Sequence, residues 1–442
     1  MSDKQFTPEK QLKKSLSFID GTAIVVGGII GSGIFLKPGI VLGNAGSPFL
    51  GLMAWFVGGI VTLAAALTIA EIGSAIPRTG GVYVYLEELF GDVWGFLFGW
   101  VQTVITSPAS AGALAIAFAT FSTFFIPMSG MEQKLLAIGT VLFLVVMNII
   151  ATKAGGFIQT VTTFAKLVPI VIIVIWGLIK GTVHDFSMIS TANIGVGVGT
   201  GFGVAILGTL WAYDGWMEAT NIGGELKDPA RQLPRALVIG VVTAMSVYML
   251  VNVALLNVIP FSAIVASKNP ASDLAVRLFG TGAGAFIIAG IMVSVFGTEN
   301  AFVLTGARIP LAMGERGQLP FHKTWATIHP KFKTPTNALL LECGFTIIYI
   351  LTGTFNTLTD ILIFVLWIFF VMAVASIFIL RKHPVKYKTV YKVPCYPVVP
   401  IIGILGGAYI LLSTIIEQPK NSLIGIAITL AGLPVFYHLK KR

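Results

Sequence analysis

The run GGIIGSGIF at positions 27–35 places three small residues, Gly31, Ser32 and Gly33, in the middle of a long apolar stretch. Glycine is poor helix interior, at about 1 kcal/mol against alanine. In a bilayer an open turn strands N–H and C=O groups, at several kcal/mol each, unless protein, water or a ligand satisfies them. A half-helix starting near Gly33 would aim free N–H groups and a positive dipole end at that point, which suits a carboxylate. A half-helix ending near Ile30 would aim free carbonyls at the same point, which suits an ammonium. One broken helix could therefore hold the zwitterionic head of an amino acid. The alternative is packing, because Gly27 and Gly31 form a small-xxx-small pair that lets two helices approach.

A second irregular run, LWAYDGWME at 210–218, sets Asp214 and Gly215 among Trp211, Tyr213 and Trp216. It makes a poor lipid-facing helix and a plausible second break. Further ionisable residues fall within apolar runs: Lys166, Glu218, Glu299 and Glu342. A lysine at mid-membrane costs about 2.5–3.5 kcal/mol on insertion scales, so Lys166 is expected to face the protein interior and have a partner. The buried carboxylates could be protonated, paired with Lys166 or Arg308, or proton carriers.

The elements that must position these residues are membrane helices. The 442 residues are 55% hydrophobic and 11% charged, and apolar runs of 18 or more recur from end to end. That composition predicts an all-α polytopic membrane protein of about twelve spans. They cover 16–41, 48–76, 91–124, 133–152, 156–180, 198–223, 232–259, 280–313, 336–353, 358–381, 398–417 and 420–438. Residues 1–15 read as a cytoplasmic tail, without a cleavable signal site, and 439–442 as a cytoplasmic end. Starting with the N-terminus inside, about 22 of the 29 Lys and Arg residues fall on the cytoplasmic side, which places both termini there. The same loop placement argues against reading the net charge of +10 as a nucleic-acid surface. Cys343 and Cys395 lack metal spacing. Two connections look structured: 77–91 as a short interfacial helix inside, and 262–280, with an amphipathic turn over 271–279, as an external lid.

Five spans separate the two irregular runs. A five-span repeat inserts its second copy upside down, and paired interrupted spans are the pointer to an inverted-repeat transporter with a central site. The expected units are 16–180 and 198–381, followed by two further spans over 398–438.

The motifs GGIIGSGIFLKPG at 27–39, AEIGSAIPRTGG at 70–81, WAYDGW at 211–216, GELKDPARQLPRA at 224–236 and RIPLAMGERGQLP at 308–320 resemble the amino acid–polyamine–organocation superfamily. They are most similar to its bacterial L-type amino acid transporter branch, the serine/threonine and alanine/serine/cysteine exchangers. The similarity runs over the whole chain. It implies a five-plus-five inverted-repeat fold like that of the bacterial leucine transporter, with broken helices 1 and 6, and sodium-independent exchange of small neutral amino acids. By position it puts carboxylate-binding amides on Ser32, Gly33 and Ile34, and amine-binding carbonyls on Ile29 or Ile30, Trp211 and Asp214. It puts an aromatic gate on Trp211 and a side-chain pocket wall on Trp216. It places Lys166 where sodium-coupled relatives hold a sodium ion. Glu218 and Glu299 depart from the pattern as proton or pairing sites, and leave proton-coupled transport or exchange of cationic amino acids or polyamines as the alternative.

The resemblance implies no cofactor and no metal. Its partners are the amino acid and the bilayer, in the cell membrane, with the protein a monomer or weak homo-oligomer. Eukaryotic relatives carry a cysteine for a covalent partner between spans three and four; residues 125–134 carry none, so no disulfide-linked subunit is expected. An enzyme is disfavoured because no HExxH or GxSxG motif is present, and a channel because no filter-like loop is visible.

Overall fold

A computed structural model describes residues 17–76, 80–150, 167–188, 198–217, 227–383, 387 and 389–440. Lys166 and Glu218 lie outside them, as do Arg78, Lys153 and part of the 224–236 motif. Every regular element among the described residues is helical.

The chain opens with a helix that breaks as its glycines demand: α1 (Phe18–Ile29) stops, Ile30–Ser32 are non-helical, and α2 (Gly33–Ala45) resumes. Gly46 at φ 80° closes α2 by returning its N–H to the Leu42 carbonyl. Ser47 then caps α3 (Pro48–Ala75), its hydroxyl accepting from the Leu50 N–H at 3.2 Å, with Pro48 at the first helical position. The connection expected over 77–91 to be a short helix forms α4 (Gly81–Phe90). The third apolar run is α5 (Asp92–Val101), a π-helical turn (Gln102–Thr106) and α6 (Ser107–Ser122). Then come α7 (Gly130–Ile150), α8 (Leu167–Lys180) and α9 (Val198–Tyr213).

The second half holds α10 (Pro229–Val258), a short α11 (Phe261–Ala266), α12 (Pro270–Gly306), α13 (Arg308–Glu315) and α14 (His322–Trp325). It continues with α15 (Thr336–Thr352), α16 (Phe355–Lys382), α17 (Val398–Glu417), α18 (Pro419–Leu430) and α19 (Gly432–Lys440). Helix α12 kinks at Gly280, φ 75°, so the segment expected as a lid is two short helical stretches leading into the eighth span. Helix α11 sits on α2, where the Ile264 carbonyl leaves no room for a side chain at Gly39.

Among the described residues, eight helices are long and apolar enough to cross a membrane. Three shorter apolar helices, Leu167–Lys180, Thr200–Tyr213 and Thr336–Thr352, and the broken first helix occupy the remaining expected spans. Burial sorts them. The spans at Asp92–Ser122, Phe355–Lys382 and Pro48–Ala75 are 78%, 72% and 67% buried, so they form the centre. Gly130–Ile150 and Pro419–Lys440 are 28% buried and carry exposed Leu, Ile and Phe outward, the pattern of lipid-facing helices.

Two ion pairs fasten α16 to its neighbours. Lys37 Nζ of α2 lies 2.9 Å from Asp360 Oδ1, with Lys37 fully buried. Near the other end, Arg381 donates from both Nε and a terminal nitrogen to the Glu71 carboxylate of α3, at 2.9 and 2.7 Å, and the Val393 N–H donates to the same group.

Candidate functional site

The two irregular runs meet. Helix α9 ends at Tyr213, and 214–217 form a turn around Gly215 at φ 106°, a conformation that L side chains rarely adopt. A methyl group at Gly215 would collide with the Gly28 carbonyl, and one at Gly28 would come 3.0 Å from the Gly215 carbonyl. The breaks thus touch backbone to backbone. Gly33 also has a packing role: a methyl group there would lie 2.7 Å from Ala212 Cα and 3.1 Å from the Trp211 ring. Gly31 differs, with only the Ile29 carbonyl, 3.8 Å away, near its open side. Close packing thus falls on Gly28 and Gly33 and not on Gly31, which was expected to pack as the partner of Gly27.

Between the breaks lies a cavity of about 40 Å³ lined by Gly28, Ile29, Gly31, Ser32, Gly33, Trp211, Ala212, Asp214, Gly215, Thr298 and Phe302. Among the described residues, nothing accepts a hydrogen bond from the N–H groups of Ser32, Gly33 or Ile34. They begin α2, so they carry the positive end of its dipole. The cavity has space for a few waters and not for a whole amino acid, since one water needs about 10–15 Å³. Its wall on one side is the Trp211 ring, stacked on Phe302 at 6.4 Å and met edge-on by Phe355 at 6.3 Å.

Of the residues expected from sequence, Ile29, Ser32, Gly33, Trp211 and Asp214 line the cavity. Ile30 and Ile34 are buried beside it. Trp216 is outside the lining, packed edge-on against Phe370 of α16 at 5.6 Å. Glu299 is fully buried on α12, one oxygen accepting from the Thr140 hydroxyl at 3.1 Å and the other without a partner. Arg308, a suggested partner for the buried carboxylates, is exposed.

Sequence reasoning missed Tyr248. Its fully buried hydroxyl lies 2.7 Å from both the Ile29 and the Ala212 carbonyls, the ends of the first half-helices on either side. One O–H proton cannot satisfy two acceptors fully, so Tyr248 divides a single donor between the two broken helices. Ile29, expected to face a substrate ammonium, therefore already shares this hydroxyl. A lone tyrosine in the apolar run YMLVNVALL was the only signal. Thr298 and Phe302 were passed over in favour of Glu299, which lies among them in sequence.

The amino acid permease family profile matches residues 16–435. The serine/threonine exchanger SteT of Bacillus subtilis is 44% identical over 437 residues, covering 99% of both chains. The b(0,+)-type amino acid transporter 1 of Mus musculus is 33% identical over 97% of this chain and 88% of its own. The large neutral amino acids transporter small subunit 2 of Mus musculus is 32% identical over 96% and 81%. Two broken helices closing on one cavity, a lipid-facing exterior and relatives aligned end to end agree: this chain belongs to the amino acid permease family, multi-pass membrane transporters of amino acids rather than enzymes.

Proposed function

We propose that this protein is a sodium-independent exchanger of small neutral L-amino acids, serine and threonine foremost, working by alternating access. The observation that carries the reading is the unpaired start of α2 at Ser32, Gly33 and Ile34, opening into a cavity shared with the second break. Those amides take the substrate carboxylate. The carbonyls around Ile30 and Trp211 take the ammonium, and Thr298, Phe302 and Asp214 meet the side chain. Trp211 is the gate: a cavity too small for an amino acid must enlarge, and the ring clamped by Phe302 and Phe355 is what moves. The units 16–180 and 198–381 are inverted repeats, supported by a break in the first span of each. Lys166 stands in for a coupling cation. The protein sits in the cell membrane with both termini in the cytoplasm, and works without a disulfide-linked subunit.

A second reading, exchange of cationic amino acids, is favoured by one observation, an acidic residue, Asp214, among those lining the cavity. Counterflow in proteoliposomes tests both. Labelled serine should enter only vesicles preloaded with unlabelled amino acid, equally in sodium and choline buffers. Uptake that requires sodium, or that proceeds without internal substrate, refutes exchange. Faster counterflow of arginine than of serine establishes the second reading.

A further inference from the structure

Glu342, one of the carboxylates within an apolar run, has no part in the cavity between the breaks. It lies on α15, 4% exposed, and neither carboxyl oxygen has a hydrogen-bond partner among the described residues. Three irregular features converge on it. Helix α12 gives way to α13 at Ala307, and the Glu342 carboxyl rests on Gly306, where a methyl group would collide with Oε1. Ser107 closes the same space: that methyl group would also lie 2.8 Å from its Cβ. Ser107 directly follows the π-helical turn of the third span, a distortion that occurs mostly at functional sites. Two turns along α15 from Glu342, the Tyr349 hydroxyl donates to the Val104 carbonyl of that turn at 2.8 Å. Helix α15 thus offers two polar groups to one distorted stretch; the tyrosine is satisfied and the carboxyl is not.

An ionised carboxylate there would be buried with neither donor nor counter-ion among the described residues, a combination folded proteins avoid. The site therefore takes a positive partner. A metal ion needs about six oxygen ligands at 2.0–2.6 Å, and Gly306 and Ser107 leave no room for one. The basic side chains on the neighbouring helices are exposed, Arg308 of α13 and His322 and Lys323 of α14, as is the carboxylate Glu315 of α13. The other titratable groups in the region are Cys343, next to it on α15, and Glu299, two turns along α12 from Gly306. Helix α6 and the π-helical turn carry no titratable side chain, and α7 carries Glu132 and Lys134 only at its far end. A proton needs no space and no second ligand.

We infer that Glu342 is a proton-binding site, taking up and releasing one proton as α15 moves against α12 and α6 during transport. The inference rests on the transporter reading and adds a ligand to it. The full chain in proteoliposomes supplies the test, with serine counterflow measured from about pH 5.5 to 8.5. Wild-type exchange should fall as pH rises, by at most about tenfold per pH unit, the limit for one proton. Glu342→Gln, which copies the shape of the neutral acid, should remove the dependence. Glu342→Asp should keep a dependence displaced in pH. A flat wild-type profile, a Glu342→Gln profile like wild type, or a dependence lost in Glu299→Gln instead overturns the assignment. Infrared spectra of the protein in lipid give a second readout that does not need transport. A protonated-carboxyl band present in wild type and reduced in Glu342→Gln supports the site, and an unchanged band refutes it. Failure of the exchange reading alone would leave that band in place.

Discussion

Breaking the Lys37–Asp360 pair should be among the most damaging single changes available in the described structure. The ammonium is fully buried and 2.9 Å from its carboxylate. It has one other neighbour of consequence, the Phe355 ring at 5.5 Å, whereas the second oxygen of Asp360 accepts from Gln418 at 3.3 Å. Asp360→Asn leaves a charged lysine with an aromatic face worth about 0.5–2 kcal/mol. Removing one partner of a buried pair costs about 3–5 kcal/mol, a factor of roughly 150 to several thousand in the folded or closed population. Lys37→Met strands the carboxylate, with Gln418 as partial compensation, so its loss should be toward the lower end. The double variant Lys37→Met/Asp360→Leu removes both charges, and apolar replacements of buried pairs are often near neutral. It should therefore be more stable than either single variant. Thermal and denaturant unfolding of the purified protein in one detergent measures all three, with serine exchange alongside. Single variants indistinguishable from wild type, or a double variant as poor as the sum of the singles, would show that the pair is not a buried, interdependent unit.

Tyr248→Phe deletes the one donor shared by the Ile29 and Ala212 carbonyls. Leaving buried acceptors unmet costs about 1–3 kcal/mol, so melting temperature and exchange should both fall; retention of both would refute the bridging role. Gly31→Ala has open space beside it and Gly33→Ala does not. The Gly31 variant should fold normally and bind serine more weakly in a thermal-shift titration, whereas the Gly33 variant should lose stability first; the reverse order would remove Gly31 from the binding surface. In the exposed first turn of α7, ahead of the apolar run that begins at 133, Glu132 accepts from the Ser129 N–H, which holds its carboxyl below the usual range. A lowered folded-state value means the contribution is present above the ordinary glutamate range and lost as pH falls through the folded-state value. Glu132→Gln should raise amide exchange at the start of α7 at neutral pH and match wild type in acid; equal exchange at both would show the cap to be inert.

The first break was legible because glycine and bilayer act in the same direction: Gly31–Ser32–Gly33 is weak helix, and open backbone at membrane depth requires a reason. The second was legible as a position and not as a geometry, since the run at 210–218 shows that the helix ends without showing that Gly215 meets Gly28. Trp216 illustrates the limit. Its place in WAYDGW suggests the pocket, but in the turn at 214–217 its ring packs on Phe370. Pairings across long separations were invisible. Lys37 lies within the first apolar run, its partner lies 323 positions away, and no local pattern marks Asp360. The π-helical turn had no signal either, because Gln102–Thr106 reads as ordinary apolar helix.

Helix α16 has a mechanical consequence. Asp360 and Arg381 are 21 positions apart, about 31 Å along a helix, close to the full depth of the hydrocarbon layer. Its two anchors hold consecutive helices, α2 at one end and α3 at the other. A rod clamped at both ends cannot swing; it can only hinge about whichever clamp stays shut. The clamps are unequal in their cations: the Lys37 ammonium is fully buried, while the Arg381 side chain is 26% exposed and stacks 3.7 Å over Tyr396. Water reaches the cation of the second clamp and not that of the first, so hydration acts on the rod at its Arg381 end and leaves Asp360 as the pivot.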